Sequence, residues 1–430
     1  MRVALISWGT EGDIRPFFSL ARALKQRGHE VSLDYVSVEG RTFEALARVC
    51  DVDAKPLAGE YFRENRELIR KLSAESLKYA TPPKQFELIM RDLMDPVAEA
   101  LLARSMERAE ESDVMVAHTL AHPTATAAEK VGRPLALIAL QPVFRSKHYP
   151  PAGASDAGRF FNPLLWKIAD WVMRGVLDPR IAKQRAALGL APRRFDASHV
   201  SPTRRALLAV SPTLFARPDD WAEGIVSTGF LPVPETGEAW APSPELGAFL
   251  DAGAAPIFAS FGSMFSLNED LAHGAVRIFV DAARMTRSRV VIQCPQGARE
   301  GVETRDDVRF IDHAPHARLF PRCSMVVHHG GAGTTQSALQ AGRASVVVPH
   351  AADQFYWGDV LHKRGVAAKP IIRKRLTAKA LAERIRYVLD RPALTERAAA
   401  LSSTLGAEDG PTRTAIEVER MLTKALPAST

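Results

Sequence analysis

The stretch from His328 to Gly358, HHGGAGTTQSALQAGRASVVVPHAADQFYWG, holds most of the residues in this chain that could do chemistry together. Gly330, Gly331 and Gly333 allow a ligand close to the backbone, and Thr334 and Thr335 set hydroxyls and amides where a helix begins. A helix start carries partial positive charge, so the turn suits an anion, and His329 adds a ring donor. Together they form a diphosphate cradle that needs no bound metal. The alternative is a plain strand and turn with hydrogen-bonded histidines, which the length of the pattern disfavours. Asp353 and Gln354 follow the apolar run ASVVVP, where a carboxylate beside an amide can accept from and donate to vicinal hydroxyls. A sugar joined to a diphosphate answers both halves of the pattern.

Two other turns follow apolar runs. In ASFGSM, Gly262 and Ser263 offer amides and a hydroxyl to a phosphate, although such a pair is often only a turn. In SWGTEGDIRPF, Gly9 and Gly12 flank a tight turn and Asp13 opens a helix. Asp13 there is either a helix cap or a functional carboxylate. The turn lacks the G-x-G-x-x-G that a dinucleotide site with Asp34 as ribose partner would require, and it has no P-loop Lys-Ser/Thr. Its acid would also repel pyrophosphate, so the anion belongs elsewhere. The segment FIDHAPHARLFPRC, at a further strand end, can present backbone groups to a nucleobase.

These turns need a scaffold that sets strand ends side by side. The 430 residues are long for one core, which points to two domains. RVALIS, HEVSLDYV, DVMVAH and PLALIAL read as strands alternating with the helical PFFSLARALKQRG, closed by Gly28, and PTATAAEKVG. The alternation restarts with PIFASFGS, AVRIFVDAARM, RVVIQC, VRFID, MVVHHGG and ASVVVP. Buried apolar strands alternating with helices predict parallel sheets, hence two doubly wound α/β domains facing a cleft. Ligands in such sheets sit beyond the carboxyl ends of the strands.

The proline-rich segment 231–249 reads as a linker between a first domain, 1–230, and a second, 250–408, with a terminal helix in 409–430. A helical insertion is expected over about 155–190; its FFNPLLWKIADWVMRGVL carries an apolar face. That face is expected to pack on its own domain, the alternatives being an acceptor-pocket wall or a lipid-touching surface.

Composition excludes several classes. Hydrophobic residues at 46% and charged residues at 24% are those of a water-soluble globular chain. Cys50, Cys294 and Cys323 are too few and too far apart for a disulfide framework or a zinc site. The net charge of +7 fits an anionic ligand, a membrane surface or nucleic acid, but the basic residues are scattered and no nucleic-acid motif is present. Arg373-Lys374-Arg375 reads as a solvated loop. No leader or bilayer-spanning run is evident, so a cytoplasmic protein is expected, with peripheral membrane contact as an option.

GTEGDIRPFFSLARALKQRGHEV, FGSM and PHARLFPRCSMVVHHGGAGTTQSALQAGRASVVVPHAADQFYWG resemble the family 1 glycosyltransferases of the GT-B fold, closest to their sterol-glucosyltransferase-like branch. The resemblance implies two Rossmann-like domains, the first for the acceptor and the second for a nucleotide sugar, with the last helix crossing back to the first domain. It implies that Ser263, His329, Gly331, Gly333 and Thr334 meet the diphosphate, that His313, Ala314 and His316 hold the base, and that Asp353 and Gln354 hold the sugar hydroxyls. Ser337 stands where plant members carry a ribose-binding glutamate. Asp13 stands near the place of their catalytic histidine, an exchange the sterol-like branch shares, which favours Asp13 as general base.

His118, in MVAHTLAHP, either assists Asp13 or is a packed histidine. The expected reaction is inverting transfer from UDP-glucose or a dTDP-sugar to a hydroxyl of an apolar small molecule or lipid, without metal or further cofactor. A nucleotide-sugar epimerase of the same fold, a nucleotide-binding oxidoreductase and a non-catalytic sugar-nucleotide binder are the competing readings.

Overall fold

The computed structural model describes residues 1–71, 82–154, 156–234, 240–262, 264–265, 269–303, 305–350 and 353–423. The chain divides into two compact units, Met1–Gly237 with Asp409–Thr430, and Glu238–Glu408. Each is built on one parallel sheet.

In the first unit the strands are β1 (Arg2–Gly9), β2 (Glu30–Ser37), β3 (Asp53–Pro56), β4 (Val114–His118), β5 (Leu135–Ala139), β6 (Arg204–Leu208) and β7 (Ile225–Ser227). Their spatial order is β3-β2-β1-β4-β5-β6-β7. Every residue of β4 and β5 is buried, as expected of central strands covered on both faces. Helix α1 (Glu11–Gln26) buries Ile14, Phe17, Phe18, Ala21 and Leu24, spaced to make one stripe against the sheet. On the opposite face α2 (Ala98–Glu111) and α3 (His122–Val131) pack together over Met115 and Ala117.

Helix α4 (Asn162–Ala187) occupies the expected insertion. Its Trp166, Val176 and Leu177 turn inward, but Phe160 and Phe161 just before it, and Leu164, Ile168 and Trp171 on its first turns, are exposed. The expectation that this apolar stretch packs on its own domain therefore holds for one face only.

The second unit has β8 (Ile257–Ser260), β9 (Val290–Gln293), β10 (Val308–Ile311), β11 (Met325–His328) and β12 (Ala344–Val347), in the order β10-β9-β8-β11-β12. Helix α5 (Glu269–Thr286) and α8 (Ala378–Leu389) cover one face, while α6 (Ala332–Gln340) covers the other. Helix α7 (Gln354–Lys363) follows β12. The last helix, α9 (Gly410–Thr423), returns to the first unit, where Ala415, Val418 and Met421 join the core beneath α1. Glu419 on it pairs with Arg27 at 2.7 Å and with His29 at 2.7 Å. No described helix is long and apolar enough to cross a membrane.

Strand order reverses between β1 and β4 in one sheet and between β8 and β11 in the other. Connections leave these neighbouring strands in opposite directions, so a crevice opens at their carboxyl ends. Asp13 and His118 follow or end one pair; Gly262 and His329 follow the other.

Candidate active site

At the first switch point Gly9 ends β1 and Thr10 caps α1. The Thr10 N–H and hydroxyl both donate to Asp13 Oδ2, at 2.8 and 2.9 Å. Asp13 is therefore the third residue of α1 and closes back on the cap, a capping-box arrangement legible in the Thr10-x-x-Asp13 spacing. The capping reading of Asp13 holds: it caps the helix through Oδ2, and Oδ1 takes no part in the cap. That oxygen lies 3.7 Å from His118 Nε2. The Asp13 side chain is 33% exposed, whereas His118 is buried.

Burial pushes His118 below the usual histidine range, against the pull of Asp13, so the ring is neutral at pH 7. The Leu120 N–H approaches His118 Nδ1 at 3.4 Å, which assigns the lone pair to Nδ1 and the ring proton to Nε2, facing the carboxylate. Behind the turn, the Glu11 N–H donates to Glu39 Oε2 at 3.2 Å. Burial raises the Glu39 pKa. Sequence reasoning passed over Thr10 and Glu39; only the capping spacing signalled the first.

At the second switch point β11 runs into His328, His329 and the glycine turn. The Gly330 N–H donates to His328 Nδ1 at 3.1 Å, so His328 braces the turn from inside. Gly330 has φ of 93°, and a Cβ there would come within 2.9 Å of the Gln354 carbonyl oxygen. Only glycine lets the turn pack this closely on the start of α7. The His329 ring is boxed by glycines: a Cβ on Gly331 would lie 2.5 Å from Nε2, and one on Gly262 3.1 Å from Cε1. Its Nδ1 is buried without a partner among the described residues. Burial lowers His329 to about 4, and His328 and His350 to about 3. All three are neutral at pH 7.

Gly333 differs from its neighbours. It is exposed on the first turn of α6, its φ is unexceptional, and an added Cβ would meet nothing within 4 Å. Glycine in a helix costs up to about 1 kcal/mol relative to alanine, and nothing in the fold demands it here.

The other residues expected at the site lie on α6, α7 and the loop after β10. Thr334 is half-buried at the start of α6, and Thr335 is buried. Gln354 is 7% exposed and its Oε1 accepts from the His350 N–H at 2.8 Å, so its oxygen serves the backbone. Asp353 is half-buried at the start of α7. After β10, His313 is exposed, Ala314 is buried, and His316 stacks on Phe320 with ring centroids 4.3 Å apart. Ser337 is half-buried on α6. Ser263 lies outside the described residues. Among them, one cluster has cation-ligand chemistry, His148 with Asp219 and Asp220. It is exposed, in the first unit, and His148 and Lys147 already engage Asp219.

Two parallel-sheet units, each with its chemistry at a switch point, define a GT-B architecture, and solved structures agree. The kitacinnamycin glycotransferase superposes with a TM-score of 0.69 at 20% identity, covering 98% of both chains. The glycosyltransferase VinC, solved with dTDP, gives 0.66 at 20% identity over 99% of this chain and all of that one. Residues 3–150 match the glycosyltransferase family 28 N-terminal domain. Residues 277–421 match the C-terminal domain of the erythromycin biosynthesis protein CIII-like group.

The O-mycaminosyltylonolide 6-deoxyallosyltransferase of Streptomyces fradiae is 31% identical over 443 residues, 97% of each chain. The sterol 3-beta-glucosyltransferases UGT80B1 and UGT80A2 of Arabidopsis thaliana are 27% and 28% identical, over 99% and 95% of this chain. The chain spans 69% and 64% of their lengths. The chain belongs to the family 1 glycosyltransferases of the GT-B fold, in the sterol-glucosyltransferase-like branch, and is a hexosyltransferase.

Proposed function

We propose that this enzyme transfers a hexose, with inversion, from a UDP- or dTDP-sugar to a hydroxyl of an apolar small molecule or lipid. The observation that carries the donor half is the β11–α6 turn: a neutral buried imidazole, boxed by Gly262 and Gly331, beside a helix start whose Gly333 is open to close approach. In this proposal Ser263, His329, Gly331, Gly333 and Thr334 hold the diphosphate. His313, Ala314 and His316 hold the base, His316 offering a ring already stacked on Phe320. Asp353 and Gln354 hold sugar hydroxyls.

The reaction then balances simply. The acceptor oxygen forms a bond to the anomeric carbon as the bond from that carbon to the phosphate oxygen breaks. The acceptor proton passes to Asp13 Oδ1, and the departing electron pair stays on the diphosphate. A neutral His329 lends a hydrogen bond rather than a charge to the leaving group, and the amides opening α6 add their dipoles. Charge compensation of this kind needs no metal. His118 is a positioning residue: its Nε2–H faces Oδ1 and aims the carboxylate.

Support for the acceptor class comes from relatives named for a sterol and for O-mycaminosyltylonolide. The relatives and neighbours named for UDP-sugars and dTDP leave both donor bases in play. A cytoplasmic location with peripheral contact at a membrane suits such acceptors. Incubation with UDP-glucose or dTDP-glucose and a panel of apolar alcohols should yield products heavier by one hexosyl residue. No heat with UDP or dTDP in calorimetry of the folded protein would sink the proposal, and sugar interconversion without acceptor would turn it toward an epimerase.

A further inference from the structure

We infer that the outward face of α4 and the residues just before it dock on an anionic lipid surface. Five of the large apolar side chains left exposed lie within twelve residues: Phe160 (86% exposed), Phe161, Leu164, Ile168 and Trp171 (77%). Within α4 they recur at three- and four-residue intervals, so they share one face while Trp166, Val176 and Leu177 on the other hold the helix to its unit. Helical residues of this kind normally turn inward. An amphipathic helix pinned by one apolar face and presenting another has no reason in its own fold for the second.

The charges around the face choose the partner. From Gly158 to Gly175 the exposed charged side chains are Arg159 and Lys167, both positive. Asp170, the single acid in that span, is drawn off by Arg145 at 3.2 Å. Just outside it, Asp156 is taken up by the Gly158 N–H and Asn162 Nδ2. Tryptophan and phenylalanine with interspersed lysine and arginine, and no competing acid, match the boundary between headgroups and acyl chains. A second copy of the chain fits poorly: a two-fold contact would set this convex ridge on itself and bring Arg159 and Lys167 towards their own counterparts.

The inference rests on the proposed function only for why a lipid surface is useful, since an apolar acceptor dissolves there; its geometry stands apart. The full chain should co-sediment with phosphatidylcholine vesicles carrying phosphatidylglycerol, and less with phosphatidylcholine alone or at high salt. Phe161→Ser with Ile168→Ser and Trp171→Ser should lower the partition about tenfold or more, with an unchanged melting temperature because all three are exposed. Arg159→Glu with Lys167→Glu should erase the preference for phosphatidylglycerol. Vesicles that fail to carry down the native chain, or that carry the serine variant equally well, overturn the inference. So does a dimer in light scattering that the serine variant dissolves. UDP and dTDP calorimetry on the same samples separates the two ideas: nucleotide binding without vesicle binding fails this one alone, and the reverse fails the proposed function alone.

Discussion

Asp13 lies so close over Gly9 that a Cβ on Gly9 would sit 2.4 Å from its Oδ2. The glycine, at φ of 140°, is thus the floor on which the carboxylate rests while Thr10 holds the same oxygen by two hydrogen bonds. Gly9→Ala should push the carboxylate off this floor while leaving the second unit untouched. A displacement of about 1 Å in a reacting group costs on the order of a hundredfold in rate. The expected result is that loss in kcat with UDP affinity unchanged, read by steady-state kinetics beside calorimetry. Native kcat in a folded Gly9→Ala protein would show that the position of Asp13 does not matter.

Asp13→Asn separates capping from proton transfer. The asparagine oxygen can still accept from the Thr10 N–H, so α1 keeps its start and the melting temperature should hold within a few degrees. The amide cannot take a proton at neutral pH, so transfer should fall by roughly 10²–10⁴-fold or more with nucleotide binding near normal. Retained turnover would remove Asp13 from the mechanism.

Gly333→Ala tests the cradle from the opposite direction. With open space around the new methyl and an ordinary helical backbone, stability should rise by about 0.5–1 kcal/mol. Affinity for UDP or dTDP should nevertheless drop, since the methyl takes the room proposed for the diphosphate. A variant that is more stable and binds as tightly as native would place the phosphates elsewhere.

The same contrast explains what was legible beforehand. β4, β5, β11 and β12 announce themselves because both faces are buried and the runs are continuously apolar. β3, at the sheet edge with the sequence DAKP, and the three-residue β7 carry no such signal, and both went unread. The glycine turns stand out in the sequence as candidate sites because local chemistry marks them. Glu39 was not, because its approach to Glu11 depends on two neighbouring strands lining up, a relation made by tertiary pairing rather than by spacing along the chain. The outward face of α4 was misjudged for a related reason: periodicity shows that a helix has apolar residues, not how many of its sides find a neighbour.

The buried histidines give the protein a pH signature. His328 and His350 near 3 and His329 near 4 lie well below the 6.5 of an unfolded histidine, as does His122, near 4, in the first unit. Between those values the unfolded chain binds protons that the folded chain refuses, so stability must fall as pH drops through 6.5 toward 4. Carboxylates of the unfolded chain begin to protonate only near 4.5 and below, and only there does the stabilisation from Glu129 and Glu419, held near 2 by their salt bridges, begin to fade. Glu39 and Asp170, raised by burial, oppose the trend but are outnumbered. The melting temperature should therefore decline steadily from pH 7 to 5, where circular dichroism can follow it before acid unfolding by carboxylates sets in. Saturating UDP should soften the decline, because a diphosphate beside His329 favours its protonated form. A flat profile over that interval would mean that these rings are hydrated or charged in the native state, and the neutral donor assigned to the leaving group would go with them.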